Sequence, residues 1–152
     1  MMTRDDIRDA LDRGLRLAGM RRRGFVWRLD GDEVGWIIHL DRLPHGDRVS
    51  IDVGCAPMGQ GRSARNASNC PMVMHAENLS LPMDLDVVRL LDLASSETDS
   101  DRAAEVTRLG EALARYVTGR QTLRELQRAF SSGEFRSAFL SRDVRDLLEG
   151  GS

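Results

Sequence analysis

Arg28, His39 and Asp52 are the residues of this chain whose types and spacing come nearest to a chemical site. They fall on the same side of three consecutive alternating segments, so a sheet would gather a guanidinium, an imidazole and a carboxylate. A His39–Asp52 pair can orient an imidazole for proton transfer, and the trio can hold a small polar ligand. Ser50 is the one nucleophile beside them. An ordinary polar outer sheet face accounts for the same residues, so binding is expected ahead of catalysis. Arg62 and Arg65 are further candidates, being cations able to contact an anion from a polar loop.

Other chemistries lack their residues. There is no G-x-S-x-G elbow, H-E-x-x-H pair or C-x-x-C pair, and Gly59-Gln60-Gly61 is a G-x-G without strand–helix context. Cys55, Cys70 and His75 make C-x14-C-x4-H, which does not match a zinc spacing, so no metal is expected there. All 22 basic residues are arginine. With no lysine amine, a Schiff base, a pyridoxal-phosphate site and a Walker phosphate loop are excluded, and no cofactor is expected.

Composition sets further bounds. A chain of 152 residues, 41% hydrophobic and 30% charged, suits one globular domain. Its apolar runs are far shorter than the ~20 residues of a membrane helix, and no secretory leader pattern opens it, so a cytoplasmic location is expected. Two cysteines fit a reducing compartment. With a net charge of −2 and no strongly basic segment, nucleic acid is not an expected partner. Charge is uneven, however: residues 1–28 hold eight arginines against four aspartates, and 77–101 hold seven acids against Arg89. That acidic middle can be a partner surface or a solvated face.

The elements that must position these residues can be read from periodicity. Thr3 and Asp6 can cap a helix carrying Ile7, Leu11, Leu15 and Ala18, with Ala10, Gly14 and Leu17 alongside and Gly19 as its stop. Alternation then gives three strands, with Phe25, Trp27 and Leu29, then Val34, Trp36, Ile38 and Leu40, then Val49, Ile51, Val53 and Cys55 facing the core. Residues opposite one another must share a face, so the first hairpin needs a loop of two or four residues. The four-residue loop closing on Leu29 and Val34 is preferred, because the shorter one sets Asp30 against Glu33. If Trp36 faces Val53, Gly35 and Gly54 oppose each other as a bare strip on the outer face. Residues 57–70 form one long polar loop, and Met72-Val73-Met74-His75 is a candidate fourth strand, expected at an edge. From Leu85 onward the period is helical to the end, with breaks near Gly119, Gly133 and Ser141. The expected fold is a single α+β domain: an N-terminal helix, an antiparallel meander of three to four strands, and C-terminal helices on one sheet face.

Gly19-Met20-Arg21-Arg22-Arg23-Gly24-Phe25 after an amphipathic helix resembles the run opening the sheet in the bacterial domain of unknown function 4304 family. Val34-Gly35-Trp36-Ile37-Ile38-His39-Leu40 is similar to its second strand, and Val49-Ser50-Ile51-Asp52-Val53-Gly54 to its third. Met20 replaces a common aromatic, and Asp52 stands near a usual asparagine. The resemblance covers about 55 residues and implies a bacterial cytoplasmic α+β domain, without an activity, cofactor or catalytic residue.

These readings lead to a non-enzymatic protein-binding module of the immunity or adaptor kind, with another protein as partner. A small-ligand binder or enzyme using Arg28, His39 and Asp52 is the alternative. A secretion-type chaperone is a third reading, which the long helical C-terminal stretch fits poorly.

Overall fold

Thr3 starts the first helix as a reciprocal cap: its side chain accepts from the Asp6 amide, and the Asp6 carboxylate accepts from the Thr3 amide. Those bonds, the backbone one first, hold the Asp6 carboxyl below the usual carboxylate range. A depressed folded-state pKa stabilises above the ordinary range near pH 4 and fades as pH falls through the folded value. The computed structural model describes residues 2–43, 47–57, 64–94 and 98–150. Helix α1 (Arg4–Leu15) runs into a 3-10 turn over Arg16–Ala18, which Gly19 ends at φ 69°. The tighter turn carries Leu17 out to solvent, whereas strict helical spacing places it with the core residues.

Among the described residues six antiparallel strands follow in the order β1-β2-β3-β4-β5-β6: Arg21–Arg23, Val26–Asp30, Val34–Arg42, Val49–Pro57, Met72–His75 and Phe139–Leu140. The strand count is therefore higher than the three or four expected. The extra edge strand β1 is made by Gly24, whose φ of 63° lets Arg23 turn back onto Val26. β5 is not an edge, because β6 pairs with its far side through Met72↔Leu140. Face parity holds in both central hairpins, but each register is displaced by two residues from the expected one. Leu29 opposes Trp36 rather than Val34, and Trp36 opposes Cys55 rather than Val53. The residues 44–46 of the second connection lie outside the described residues.

Helices α2 (Val87–Leu90), α3 (Asp99–Thr118), α4 (Leu123–Ser131) and α5 (Arg142–Glu149) complete the fold. With α1 they cover one sheet face, where Trp27, Trp36, Ile38, Leu40, Ile51, Val53, Cys55, Met72 and Met74 are buried. Both indoles are also tied by hydrogen bonds. Trp27 Nε1 donates to Asp12 Oδ1 at 3.0 Å, Trp36 Nε1 donates to the Arg120 carbonyl at 2.8 Å, and Tyr116 meets Trp36 edge-on. Helices α1 and α3 touch backbone to backbone at Gly14 and Gly110. Arg102 is fully buried, and its Nη2 donates to the carbonyls of Leu90 and Asp92, fastening α3 to the end of α2.

The short helix α4 depends on its cap. Thr122 Oγ1 accepts from the Glu125 amide and Glu125 Oε1 from the Thr122 amide, both at 3.1 Å. Thr122→Ala is expected to cost about 1 kcal/mol, read as a lower urea midpoint at unchanged slope. An unchanged midpoint would show that tertiary packing alone holds α4.

Candidate functional site

The face of the sheet turned away from the helices carries Val26, Arg28, Ile37, His39, Asp52, Gly54, Val73 and His75. Residues 64–70 return across the middle of it. Ala64, Ala67 and Cys70 pack on Ile37, with Val26 and Val73 at the margins, as a second small apolar cluster. Gly54 makes this approach possible: a Cβ there would lie 2.6 Å from Cys70 Sγ and 2.8 Å from the Ala67 carbonyl oxygen. The expected glycine strip is therefore corrected. Gly35 opposes Ala56, Gly54 opposes Ile37, and Gly54 is covered by the chain itself. Burial raises the Cys70 thiol to about 11, with the Arg28 guanidinium opposing the shift, and burial also pushes the Cys55 thiol well above its ordinary value. Both cysteines are free thiols.

This covering segment divides the polar residues of the face into two groups. On one side lies an open cleft of about 820 Å³, lined by Arg21, Arg22, Arg23, Val26, Arg28, Asp30 and Arg65. Arg21 and Arg23 alternate onto the outer face because they pair with Arg28 and Val26. Arg28 also donates to the Ala64 carbonyl, which anchors the covering segment. Arg21 stands 4.0 Å from Asp30 with its side chain almost wholly exposed. Arg23 and Arg65 form no ion pair with any described residue. Among the described residues the cleft is thus strongly cationic, with Asp30 as its one carboxylate.

On the other side, His39, Asp52 and His75 stand directly opposite one another on β3, β4 and β5. His75 Nδ1 and Asp52 Oδ1 are 2.8 Å apart. Asp41 follows His39 on the same face, and one ligand atom each from His39, Asp41 and Asp52 lies within 4.8 Å of the others.

The structure brings His39 and Asp52 together as the sequence pattern predicts, and places Arg28 with Arg65 in the cleft instead. Arg62, like Gly59-Gln60-Gly61, lies outside the described residues. Arg21, Arg23, Asp41 and His75 were not among the expected site residues. Gly24, able to reverse the chain directly after the Arg21-Arg22-Arg23 run, was the available signal for the first two. His75 depends on the β4–β5 register, for which the sequence carries no turn to count from. The acidic middle of the chain is spent largely on local structure. Asp86 caps α2, Asp84 pairs with Arg108 at 2.6 Å, Asp92 accepts from the Ala94 amide, and Asp101 accepts from the Thr98 hydroxyl.

Among the described residues no helix is long and apolar enough to cross a membrane. Comparison with protein-family models, with curated proteins and with solved structures gives no match to this chain.

Proposed function

We propose that the protein is a non-enzymatic binding module whose arginine cleft receives an acidic, extended segment of a partner protein. The observation that carries this reading is the convergence of Arg21, Arg23, Arg28 and Arg65 on one open cleft beside the edge strand β1. Four guanidiniums against Asp30 favour carboxylates, Arg22 turning instead to Asp12, and the fork geometry of arginine suits them. The outer side of β1 pairs with no described strand, so a partner segment can add to the sheet while its acidic side chains reach the arginines. Among the described residues Val26 is the single apolar one lining the cleft, unlike the mostly apolar wall of a small-molecule pocket. No aromatic ring among the described residues lines the cleft to stack a base, which favours a protein over nucleic acid. Kinship with the domain of unknown function 4304 family belongs to the same proposal and rests on the three segments that resemble it.

The test is fluorescence anisotropy with a labelled oligoglutamate of about a dozen residues, against a neutral peptide and a single-stranded oligonucleotide of equal length. Saturable binding of the acidic peptide is expected, weakening with added salt. Arg21→Glu/Arg23→Glu should reduce it at least tenfold, and both side chains are exposed, so the fold is retained. Equal affinity for the neutral peptide, or an unchanged affinity in the variant, would refute the reading. Tighter binding of the oligonucleotide would replace it with a nucleic-acid role.

A further inference from the structure

We propose that His39, Asp41 and Asp52 form a site for a divalent transition-metal ion, with Zn²⁺ as the reference occupant, separate from the arginine cleft. The three side chains project from neighbouring positions of β3 and β4 onto the outer face, one imidazole and two carboxylates within 4.8 Å of one another. A metal about 2 Å from each ligand sets adjacent donor atoms roughly 3–4 Å apart. Asp41 is exposed, so its side chain has the freedom to turn toward the other two while the strands stay in place.

Charge gives an independent reason for a cation. Asp41 and Asp52 bring two carboxylates together, and in a chain with 22 arginines no arginine among the described residues pairs with either. Among the described residues, the polar partners of these carboxylates are the Arg42 amide on Asp41 and His75 on Asp52. A bound dication would remove their mutual repulsion.

The remaining hydrogen bonds leave the donors this role needs. The Arg42 amide donates to Asp41 Oδ1, and His75 Nδ1 meets Asp52 Oδ1, so the second oxygen of each carboxylate is available. His75 then acts as a positioning residue, orienting the ligand Asp52 as outer-shell partners of metal ligands do. The mixed nitrogen and oxygen donor set selects borderline ions such as Zn²⁺ or Co²⁺ over Mg²⁺ and Ca²⁺, which prefer oxygen alone.

The experiment is titration of the untagged full chain with Zn²⁺ against a chromogenic chelator, with Co²⁺ visible absorption as a direct report on ligation. One ion per chain is expected, with Asp41→Asn and His39→Ala each weakening affinity at least tenfold. His75→Gln should weaken it less while leaving the Co²⁺ band in place. Asp41 is exposed, so its variant tests the site without disturbing the fold. Failure to bind Zn²⁺ below millimolar concentration, or binding indifferent to Asp41→Asn, would overturn the proposal. Equal displacement by Ca²⁺ would also overturn it, since a carboxylate-only site needs no imidazole.

Discussion

Gly14→Ala is expected to destabilise the protein by about 3 kcal/mol, toward the upper end of what overpacking one methyl group costs. The direction is not the default one. In an open helix the same change stabilises by about 1 kcal/mol, because alanine loses less backbone entropy than glycine. Here the added Cβ would lie 2.3 Å from the Thr107 carbonyl oxygen, 2.5 Å from the Glu111 nitrogen and 2.7 Å from the Gly110 carbonyl carbon. All three belong to the backbone of α3, so no side-chain rotation relieves them. The contact is reciprocal, since a Cβ on Gly110 would sit 2.6 Å from the Leu11 carbonyl oxygen and 3.1 Å from Gly14 Cα. Helices α1 and α3 must therefore move apart, taking Ile7, Leu11 and Leu109 from close packing. Urea unfolding checks the value, and the double variant Gly14→Ala/Gly110→Ala adds a sharper signature. Once the helices have separated, the second alanine costs less than it does alone. A neutral or stabilising Gly14→Ala would mean that the two helices do not touch there.

The parts of this fold that were legible in the sequence are those set by local periodicity. Trp27, Trp36, Ile38 and Ile51 declare their face by alternation, and Leu109, Leu113 and Val117 declare theirs by helical spacing. Parity was sufficient to put His39 and Asp52 on one face, yet it cannot distinguish registers that differ by two residues. The pattern therefore pairs Leu29 with Val34 and Gly35 with Gly54, two residues from the observed partners Trp36 and Ala56. The illegible parts depend on contacts distant in the chain. Phe139–Leu140 is a strand only because Met72 and Val73 are there to pair with, and Phe139 itself is exposed. Arg21–Arg23 has no apolar alternation at all, and its pairing comes from the Gly24 turn. Arg102 shares helical spacing with Val106 and Leu109, yet that a guanidinium can be buried there depends on the carbonyls of Leu90 and Asp92 beside it. The same limit hid the cleft, because Arg65 joins Arg21 and Arg23 only after residues 64–70 have crossed the sheet.

Gly54→Ala is expected to lift that crossing segment and expose Cys70, raising its alkylation rate at pH 8 about 100-fold. The new Cβ would meet Cys70 Sγ at 2.6 Å, the Ala67 carbonyl oxygen at 2.8 Å and Ala67 Cα at 2.9 Å. Removing the sulfur would relieve only the first contact, so Cys70→Ala is not expected to rescue stability. The loss has a ceiling, because the segment can open locally instead of unfolding the domain. That ceiling is the burial of Ile37 and its small neighbours, about 2–3 kcal/mol. The labelling magnitude follows from the thiol. Held at about 11 by burial, Cys70 is about one part in a thousand thiolate at pH 8; returned to water near 9, it is about one-tenth thiolate. A raised folded-state pKa also means that this thiol's contribution to stability is lost as pH rises from about 9 toward about 11. The variant should lose that part of the alkaline sensitivity. Cys55, fully buried on the helix-covered face, should stay unlabelled in both proteins and serves as the internal control. Arg65 rides on the same segment and the Ala64 carbonyl accepts from Arg28, so acidic-peptide affinity should fall with the opening. A Cys70 labelling rate equal to that of the unaltered protein would show that residues 64–70 do not lie on Gly54. The small apolar cluster and the cleft beside it would then both have to be redrawn.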